Sequence, residues 1–206
     1  DRFDYVVVAS GGKAAKVHGT DGDSYELLKM MGHKIKPVAP ALVSLNCDEF
    51  TKALKGVRSI CKMDLIIDGK KALENHGEVQ FTDYGLSGIP IMQLSRFVSM
   101  SPSNDIYINL DVTPDFTANE IENYLFDRRE FGTGLCENLL IGIMNKQLCI
   151  TLLKECHIAP NGRIFELSDN EILTLARLCK CWKIKVKTAR GFDFAQVTAG
   201  GADCSQ

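Results

Sequence analysis

The sequence predicts an α+β fold in which an antiparallel β-barrel or sandwich is interrupted by a small helical bundle. Apolar and polar residues alternate at strand spacing from about residue 41 to 111. The period becomes helical after Asp115, and strand spacing returns at 182–188. Because hydrophobic periodicity is the main signal of secondary structure, we expect the helices to be inserted between strands of the β portion.

The two ends of the chain carry similar signals. Residues 5–9 (YVVVA) precede Ser10-Gly11-Gly12, and the apolar stretch 197–199 precedes Gly200-Gly201. An apolar run that stops on glycine is typical of a buried strand that breaks into a tight turn. Glycine also lets a ligand or a second backbone approach closely. We therefore expect both ends to belong to a neighbouring, sheet-based body.

A polar glycine loop at 18–25 leads into a predicted helix from Asp23 to Met31, which Gly32 ends. The N-terminus of this helix could bind an anion through its free N–H groups, or the loop could be a plain N-cap. Asp21 and Asp23 add negative charge, which argues against a bound phosphate.

The β portion is predicted from six alternating segments. They are 41–46, 57–61, 62–67, 70–73, 77–82 and 105–111. Pro37 and Pro40 keep the chain before the first strand extended, and Asp68-Gly69 is a strong hairpin signal. Pro90 suits the first turn of a short helix that runs through Phe97. These features indicate an antiparallel barrel or sandwich with one helix.

The helical portion opens with a capping box, Thr117 to Glu120, before a helix through about Phe126. Helical spacing continues over 136–145 and 146–157. A second capping box, Ser168 to Glu171, precedes a helix over 172–181. The segment is predicted to be a small bundle.

Composition excludes several classes of protein. The formal net charge is −2 and no basic block occurs, so nucleic acid is not an expected partner. No apolar run approaches the roughly 20 residues of a membrane span, and there is no signal-peptide pattern. The chain starts within a strand signal and without methionine, so we interpret it as part of a longer protein.

The eight cysteines are interpreted as reduced thiols of a cytoplasmic protein. Disulfides are the alternative, but several cysteines occupy core-like positions of helical patterns. Cys179-Lys180-Cys181 is not a C-x-x-C motif, and no second cysteine pair or close histidine pair completes a metal site. No metal is expected.

Catalytic candidates are sparse. The four histidines are scattered, and none has a serine or cysteine nucleophile at a diagnostic spacing, so a hydrolase triad has little support. The charged run 127–130 is typical of a solvated helix face. Arg190-Gly191-Phe192-Asp193 is either a ligand-facing loop or a hairpin with a structural salt bridge.

Several motifs occur in the order found in one family. They are Ala9-Ser-Gly-Gly12, Gly19-Thr-Asp-Gly-Asp-Ser-Tyr25, Gly32-His33, Pro37-x-x-Pro-Ala-Leu-Val43, Phe81-Thr-Asp-Tyr-Gly-Leu-Ser-Gly-Ile-Pro90, Gln93-Leu-Ser-Arg96, Thr188-Ala-Arg-Gly-Phe-Asp193 and Ala195-Gln-Val-Thr-Ala-Gly-Gly201. Together they resemble BaiN/YhiN-like flavoproteins, which include aminoacetone-oxidase-like enzymes. The resemblance implies a Rossmann-like FAD domain interrupted by a β-barrel-like domain that itself carries a helical insertion.

The resemblance also implies domain limits. Residues 1–34 would be a remnant of the FAD-binding domain, and 193–206 a return strand toward it. Residues 35–114 and 182–192 would form the barrel-like domain, and 115–181 the inserted helical domain.

Site residues follow from the same resemblance. The strand-to-turn piece near FAD would be Ala9, Ser10, Gly11 and Gly12, and the turn approaching the flavin ring would be Thr198, Ala199, Gly200 and Gly201. Arg190 would lie on the segment leading into that turn and orient an anionic substrate or the flavin. No residue stands out as a catalytic acid or base. Ser10 replaces a threonine common in the first motif, and Lys13-Ala-Ala-Lys16 departs from the family pattern.

The G-x-G-x-x-G turn that holds the FAD pyrophosphate does not occur in this sequence. We therefore expect the isolated chain to bind FAD weakly or not at all, although its parent would be an FAD-dependent oxidoreductase. Its partners would be the missing FAD-binding segments and an unknown small-molecule substrate. The chain could also associate with a second copy of itself through exposed barrel surface. The alternatives are a non-catalytic interaction module and a cysteine-based redox or metal protein.

Overall fold

A computed structural model describes residues 2–47 and 49–205. The helices are α1 (Asp23–Met30), α2 (Ile89–Met100), α3 (Ala118–Phe131), α4 (Lys146–Glu155) and α5 (Asp169–Lys180). The strands are β1 (Ile35–Ala41), β2 (Leu45–Cys47), β3 (Arg58–Ile67), β4 (Lys70–Phe81), β5 (Gly85–Ser87), β6 (Ile106–Asp111), β7 (Trp182–Ala189) and β8 (Val197–Ala202). The mixture of helices with an antiparallel sheet confirms the predicted α+β class.

Six strands close into a barrel in the order β2-β5-β4-β3-β6-β7, with β7 pairing back onto β2. Every pairing is antiparallel. The predicted hairpin is confirmed, because Asp68 and Gly69 both have positive φ, 51° and 73°, as the favoured two-residue hairpin turn requires. The strands predicted at 57–61 and 62–67 form one strand, β3, and those at 70–73 and 77–82 form one strand, β4.

The first and last strands form a separate two-stranded sheet. β1 pairs with β8 and not with the barrel. The strand predicted at 41–46 is therefore wrong. Leu42 has a φ of 50°, outside the range of an extended strand, so β1 ends before it and β2 starts only at Leu45. The barrel begins at Leu45, later than the predicted limit at residue 35.

The apolar segment 5–9 does not form the predicted buried strand. Tyr5 is 92% exposed and Val7 88%, and none of the described strands pairs with this segment. Without a neighbouring strand, the backbone groups of an extended chain remain hydrated and no apolar face is covered. The predicted strand is wrong for this chain.

The helical portion lies between β6 and β7, which pair with each other in the barrel. Both capping boxes are confirmed, at Thr117 for α3 and Ser168 for α5. The helix predicted over 136–145 is wrong. Its start is a 3-10 turn, Cys136–Asn138, and Gly142 then adopts a φ of 86° that a helix does not allow.

Barrel and helices share one continuous core. The cluster of buried apolar side chains includes Leu65 and Ile108 of the barrel together with Leu125 and Leu152 of the helices. Trp182, at the start of β7, stacks on Phe81 with ring centroids 6.0 Å apart. Because burial of apolar surface dominates stability, we expect the two portions to stabilise each other. Across the described residues, no helix combines the length and the hydropathy needed to cross a lipid bilayer.

Candidate functional site

The two glycine-containing ends of the chain meet each other. The backbone amides of Lys13 and Ala14 both donate to Thr198 Oγ1, at 2.9 Å each. A Cβ added to Gly12 would lie 2.8 Å from Thr198 Oγ1 and 2.9 Å from Tyr25 Oη. A side chain at position 12 would therefore displace Thr198 or Tyr25, and glycine lets the two ends pack directly against each other.

Hydroxyl groups fix the N-terminal turn against α1 and the loop before it. Thr20 Oγ1 donates to the carbonyl of Gly12, and Ser24 Oγ donates to that of Gly11 at 2.8 Å. Gly11 has a φ of 83°, in the left-handed region that favours glycine. Ala9 and Ser10 lie in the exposed, irregular segment that leads into this turn.

The glycines of β8 allow a close approach to β1. Gly200 has a φ of 82°, and a Cβ there would lie 2.1 Å from the carbonyl oxygen of Pro37. Gly201 has a φ of 112° and faces the ring of Tyr25. Of the two uses of paired glycines considered from the sequence, approach of a second backbone accounts for Gly200.

A groove lies beside this junction, between α2, β4 and the β1–β8 sheet. Its volume is about 570 Å³, and it adjoins a second cavity of about 520 Å³ along the same helix. The groove lining includes Leu42, Leu73, Asn75, Met92, Gln93, Arg96, Phe97, Val197, Thr198 and Ala199. Thr198 thus belongs both to the glycine junction and to the groove.

Helix α2 positions the polar residues of the groove. Pro90 lies in its first turn, as predicted, and Ile91 and Leu94 are fully buried on the barrel side. Residues three apart on a helix lie on the same face, so Gln93 and Arg96 share the outer face. Asn75 of β4 donates to Gln93 Oε1 at 2.8 Å, which ties the strand to the helix.

The charge of the groove is set by Arg96. Glu74 also lines the groove, but its carboxylate contacts Lys71 and lies 3.1 Å from Lys62. The hydrogen bond from Lys71 and, to a smaller extent, the one from Lys62 hold the pKa of Glu74 below its usual range. The Arg96 guanidinium lies 4.7 Å from the ring centroid of Phe97.

Arg190 lies against a different set of residues. Its guanidinium is 4.3 Å from the ring centroid of Tyr84 and 3.4 Å from that of Phe194, and its amide donates to the carbonyl of Ser44 at 3.0 Å. Within 2–47 and 49–205 no ion pair joins Arg190 to Asp193, and residues 192–194 form a 3-10 turn. The interpretation as a hairpin with a structural salt bridge is wrong.

The residues present do not fit the pyrophosphate of FAD. At the N-terminus of α1, Asp21 Oδ1 accepts from the amide of Asp23 at 3.2 Å, and the negative charge of Asp21 raises the pKa of Asp23. An anion placed there would meet two carboxylates in place of free N–H donors. At the turn that follows Gly12, the amides of Lys13 and Ala14 already donate to Thr198 Oγ1, so they are not available to a phosphate group.

Sequence reasoning missed the groove and its two cavities. The segment Gln93-Leu-Ser-Arg96 stood out only as a matching motif. The available signal was the three-residue spacing of two long polar side chains on a predicted helix. The contribution of Asn75 could not be found, because it depends on the register of β4 against α2.

Two comparisons with known proteins bear on this arrangement. Residues 39–197 match the family model described as HI0933-like protein barrel and H2TH domain. The chain is also 37% identical over 205 residues to a 3-dehydro-bile acid delta(4,6)-reductase of Clostridium scindens, covering 96% of this chain and 49% of that protein. The chain thus spans about half the length of this relative. It belongs to the HI0933-like family and corresponds to the central portion of a BaiN/YhiN-like flavoprotein.

Proposed function

We propose that this chain is the substrate-side and interdomain part of an FAD-dependent oxidoreductase and is not catalytically competent alone. Its family is one of FAD-dependent oxidoreductases. The observation that carries the proposal is the position of Thr198, which joins the two turns of small residues to an apolar groove. Such a groove, bordered by a few polar groups, is the usual form of a small-molecule site.

The flavin, when bound, would supply the redox chemistry. This chain would shape the space in which a substrate lies and limit its contact with water. Met92 and Phe97 supply apolar surface, while Asn75 and Gln93 offer amide groups that fix orientation. Arg190, whose guanidinium lies against the rings of Tyr84 and Phe194, would orient an anionic group of the substrate or of the flavin.

The proposed flavin-side residues are the two turns, Ala9 to Gly12 and Thr198 to Gly201. The proposed partner is the FAD-binding portion of the parent protein. The exposed apolar segment supports this partner, because Phe3 is 76% exposed and Val6 69%, and an unpaired apolar segment can add a strand to a neighbouring sheet by becoming extended.

The name of the Clostridium scindens relative suggests the class of substrate. That protein is named as a reductase of a 3-dehydro-bile acid. We propose that the parent of this chain likewise acts on an apolar small molecule, since apolar side chains dominate the groove. We also propose a cytoplasmic location, which the eight free thiols support.

A second candidate function is a non-catalytic module that binds another protein. The same exposed residues favour it, because contiguous apolar surface marks interaction sites. The two functions differ in what restores flavin binding. The flavoprotein proposal requires the segments that hold FAD, whereas the module would not bind flavin in any combination.

The test is an absorption spectrum after incubation with FAD and dialysis. For the chain alone we expect no retained band near about 450 nm, where oxidised flavins generally absorb. Co-expression with the flanking segments of the Clostridium scindens relative is expected to give a retained band. A band in the chain alone would contradict the view that it is incomplete. A purified complex without flavin would favour the interaction module.

A further inference from the structure

Arg96 gives the groove along α2 a positive charge that Glu74, the acidic residue in the groove lining, does not neutralise. Arg96 is exposed and lines both cavities, of about 570 and 520 Å³. Glu74 is already paired with Lys62 and Lys71. Among the described side chains, no carboxylate pairs with Arg96. The groove therefore presents a positive charge to any occupant.

The surfaces on both sides of Arg96 are apolar. Leu73, Met92 and Val197 line the first cavity, and Met100, 55% exposed, lines the second. Phe97 lines both cavities. An occupant would therefore place apolar surface along the groove and an anionic group near its middle.

We infer that this groove binds an apolar small molecule that carries a carboxylate, with Arg96 as the residue that selects the acid. The inference deepens the proposed function and rests on it, because it names the substrate class of the same site. The planar guanidinium can form two parallel hydrogen bonds with a carboxylate. A cavity of about 570 Å³ lies within the general range of small-molecule pockets, roughly 300–1,000 Å³.

A matched pair of fluorescent probes tests the inference without flavin. The probes are 1-pyrenebutyrate and the uncharged 1-pyrenebutanol, titrated into the chain as it stands. We expect Arg96→Gln to weaken binding of the acid by about tenfold, while binding of the alcohol changes less than about twofold. Arg96→Lys keeps the charge but loses the paired geometry, and we expect it to bind the acid with intermediate affinity.

Arg177→Gln is the matched control, because Arg177 is an exposed arginine on α5 outside the groove. We expect it to bind both probes as the parent sequence does. Equal loss of both probes in Arg96→Gln, or no loss of the acid, would overturn the inference. Failure of the chain to bind either probe would also overturn the inference, and would indicate that a polypeptide segment of the parent protein occupies the groove.

The outcome is separable from that of the proposed function. Retention of FAD is read from the absorption band of the complemented chain, and selection of the acid is read from probe fluorescence in the chain alone. Binding of FAD that Arg96→Gln abolishes, without competition from 1-pyrenebutyrate, would assign Arg96 to the cofactor and overturn the inference.

Discussion

Thr198 accepts a hydrogen bond from the backbone amide of Lys13, 185 positions earlier in the chain, at 2.9 Å. The same hydroxyl accepts from the amide of Ala14. One side chain therefore satisfies two backbone donors of the turn that follows Gly12. Because Thr198 also lines the groove, the position of the N-terminal turn and the shape of the groove are coupled.

The first prediction concerns this hydroxyl. Thr198→Val keeps the shape of the side chain but leaves the amides of Lys13 and Ala14 without their acceptor. We expect faster hydrogen exchange at both amides and a loss of about 1 kcal/mol in the free energy of unfolding. Thr198→Ser is the control that retains the acceptor. Unchanged exchange in Thr198→Val would show that the turn is held by other contacts.

The second prediction separates steric from conformational constraints on glycine. Gly200→Ala brings a Cβ to 2.1 Å from the carbonyl oxygen of Pro37 at a φ of 82°. Gly32 has a similar φ of 92°, but an added Cβ would meet nothing within 4 Å. We expect Gly32→Ala to cost about 1 kcal/mol and Gly200→Ala clearly more, measured by chemical denaturation. Equal costs would mean that β1 moves away from β8 without penalty.

The third prediction is a pH dependence of the α5 cap. The hydroxyl of Ser168 donates to the Glu171 carboxylate at 2.7 Å and its backbone amide donates at 2.8 Å. The hydroxyl has the larger effect, and together the two hydrogen bonds hold the pKa of that carboxyl below its ordinary value of 4.5. A lowered pKa in the folded state means that the contribution is present above pH 4.5 and is lost as the pH falls through the folded-state pKa.

Glu171→Gln removes this titration but keeps an acceptor at the cap. We expect the difference in unfolding free energy between the parent sequence and Glu171→Gln to shrink as the pH falls below 4.5. Glu130→Gln, at an exposed position of α3, serves as the control for the loss of a carboxylate outside the cap. A difference that grows toward acidic pH would mean that the folded state raises the pKa of Glu171, contrary to its contacts with Ser168.

The elements predicted well from the sequence were those fixed by local chemistry. The Asp68-Gly69 turn and the cap at Ser168 each depend on a few adjacent residues. The failures depended on distant partners or on one dihedral. Tyr5 and its neighbours have the sequence pattern of a buried strand, but none of the described strands pairs with them. The alternating pattern of 41–46 predicts one continuous strand, but the positive φ of Leu42 interrupts it. Arg96 was overlooked because its importance comes from what packs beside α2.

The fourth prediction concerns the thiols and tests the cysteine-based alternative. Cys181 and Cys204 are exposed, and partial burial raises the pKa of Cys181. Burial raises the pKa of Cys61 to about 12 and also that of Cys179. Reactivity requires the thiolate, so we expect Cys204 to react first with a disulfide reagent and Cys181 next. The half-buried Cys156, whose pKa burial raises to about 11, should follow slowly, and the five buried cysteines should react only in denaturant. Rapid reaction of Cys61 or Cys179 in the native chain would contradict the structure.

The fifth prediction tests whether barrel and helices unfold together. Leu125 of α3 is fully buried in the core that both portions share, and Trp182, the sole tryptophan of the sequence, reports on the barrel. We expect Leu125→Ala to lower the unfolding free energy by about 2–5 kcal/mol, with tryptophan fluorescence and far-ultraviolet circular dichroism shifting by the same amount. Phe131→Ala, at a site in the same helix that is 77% exposed, should shift neither. A circular dichroism transition that moves while the fluorescence transition stays would mean that the helices form a separate folding unit, because a shared core transmits the loss of one buried side chain to both probes.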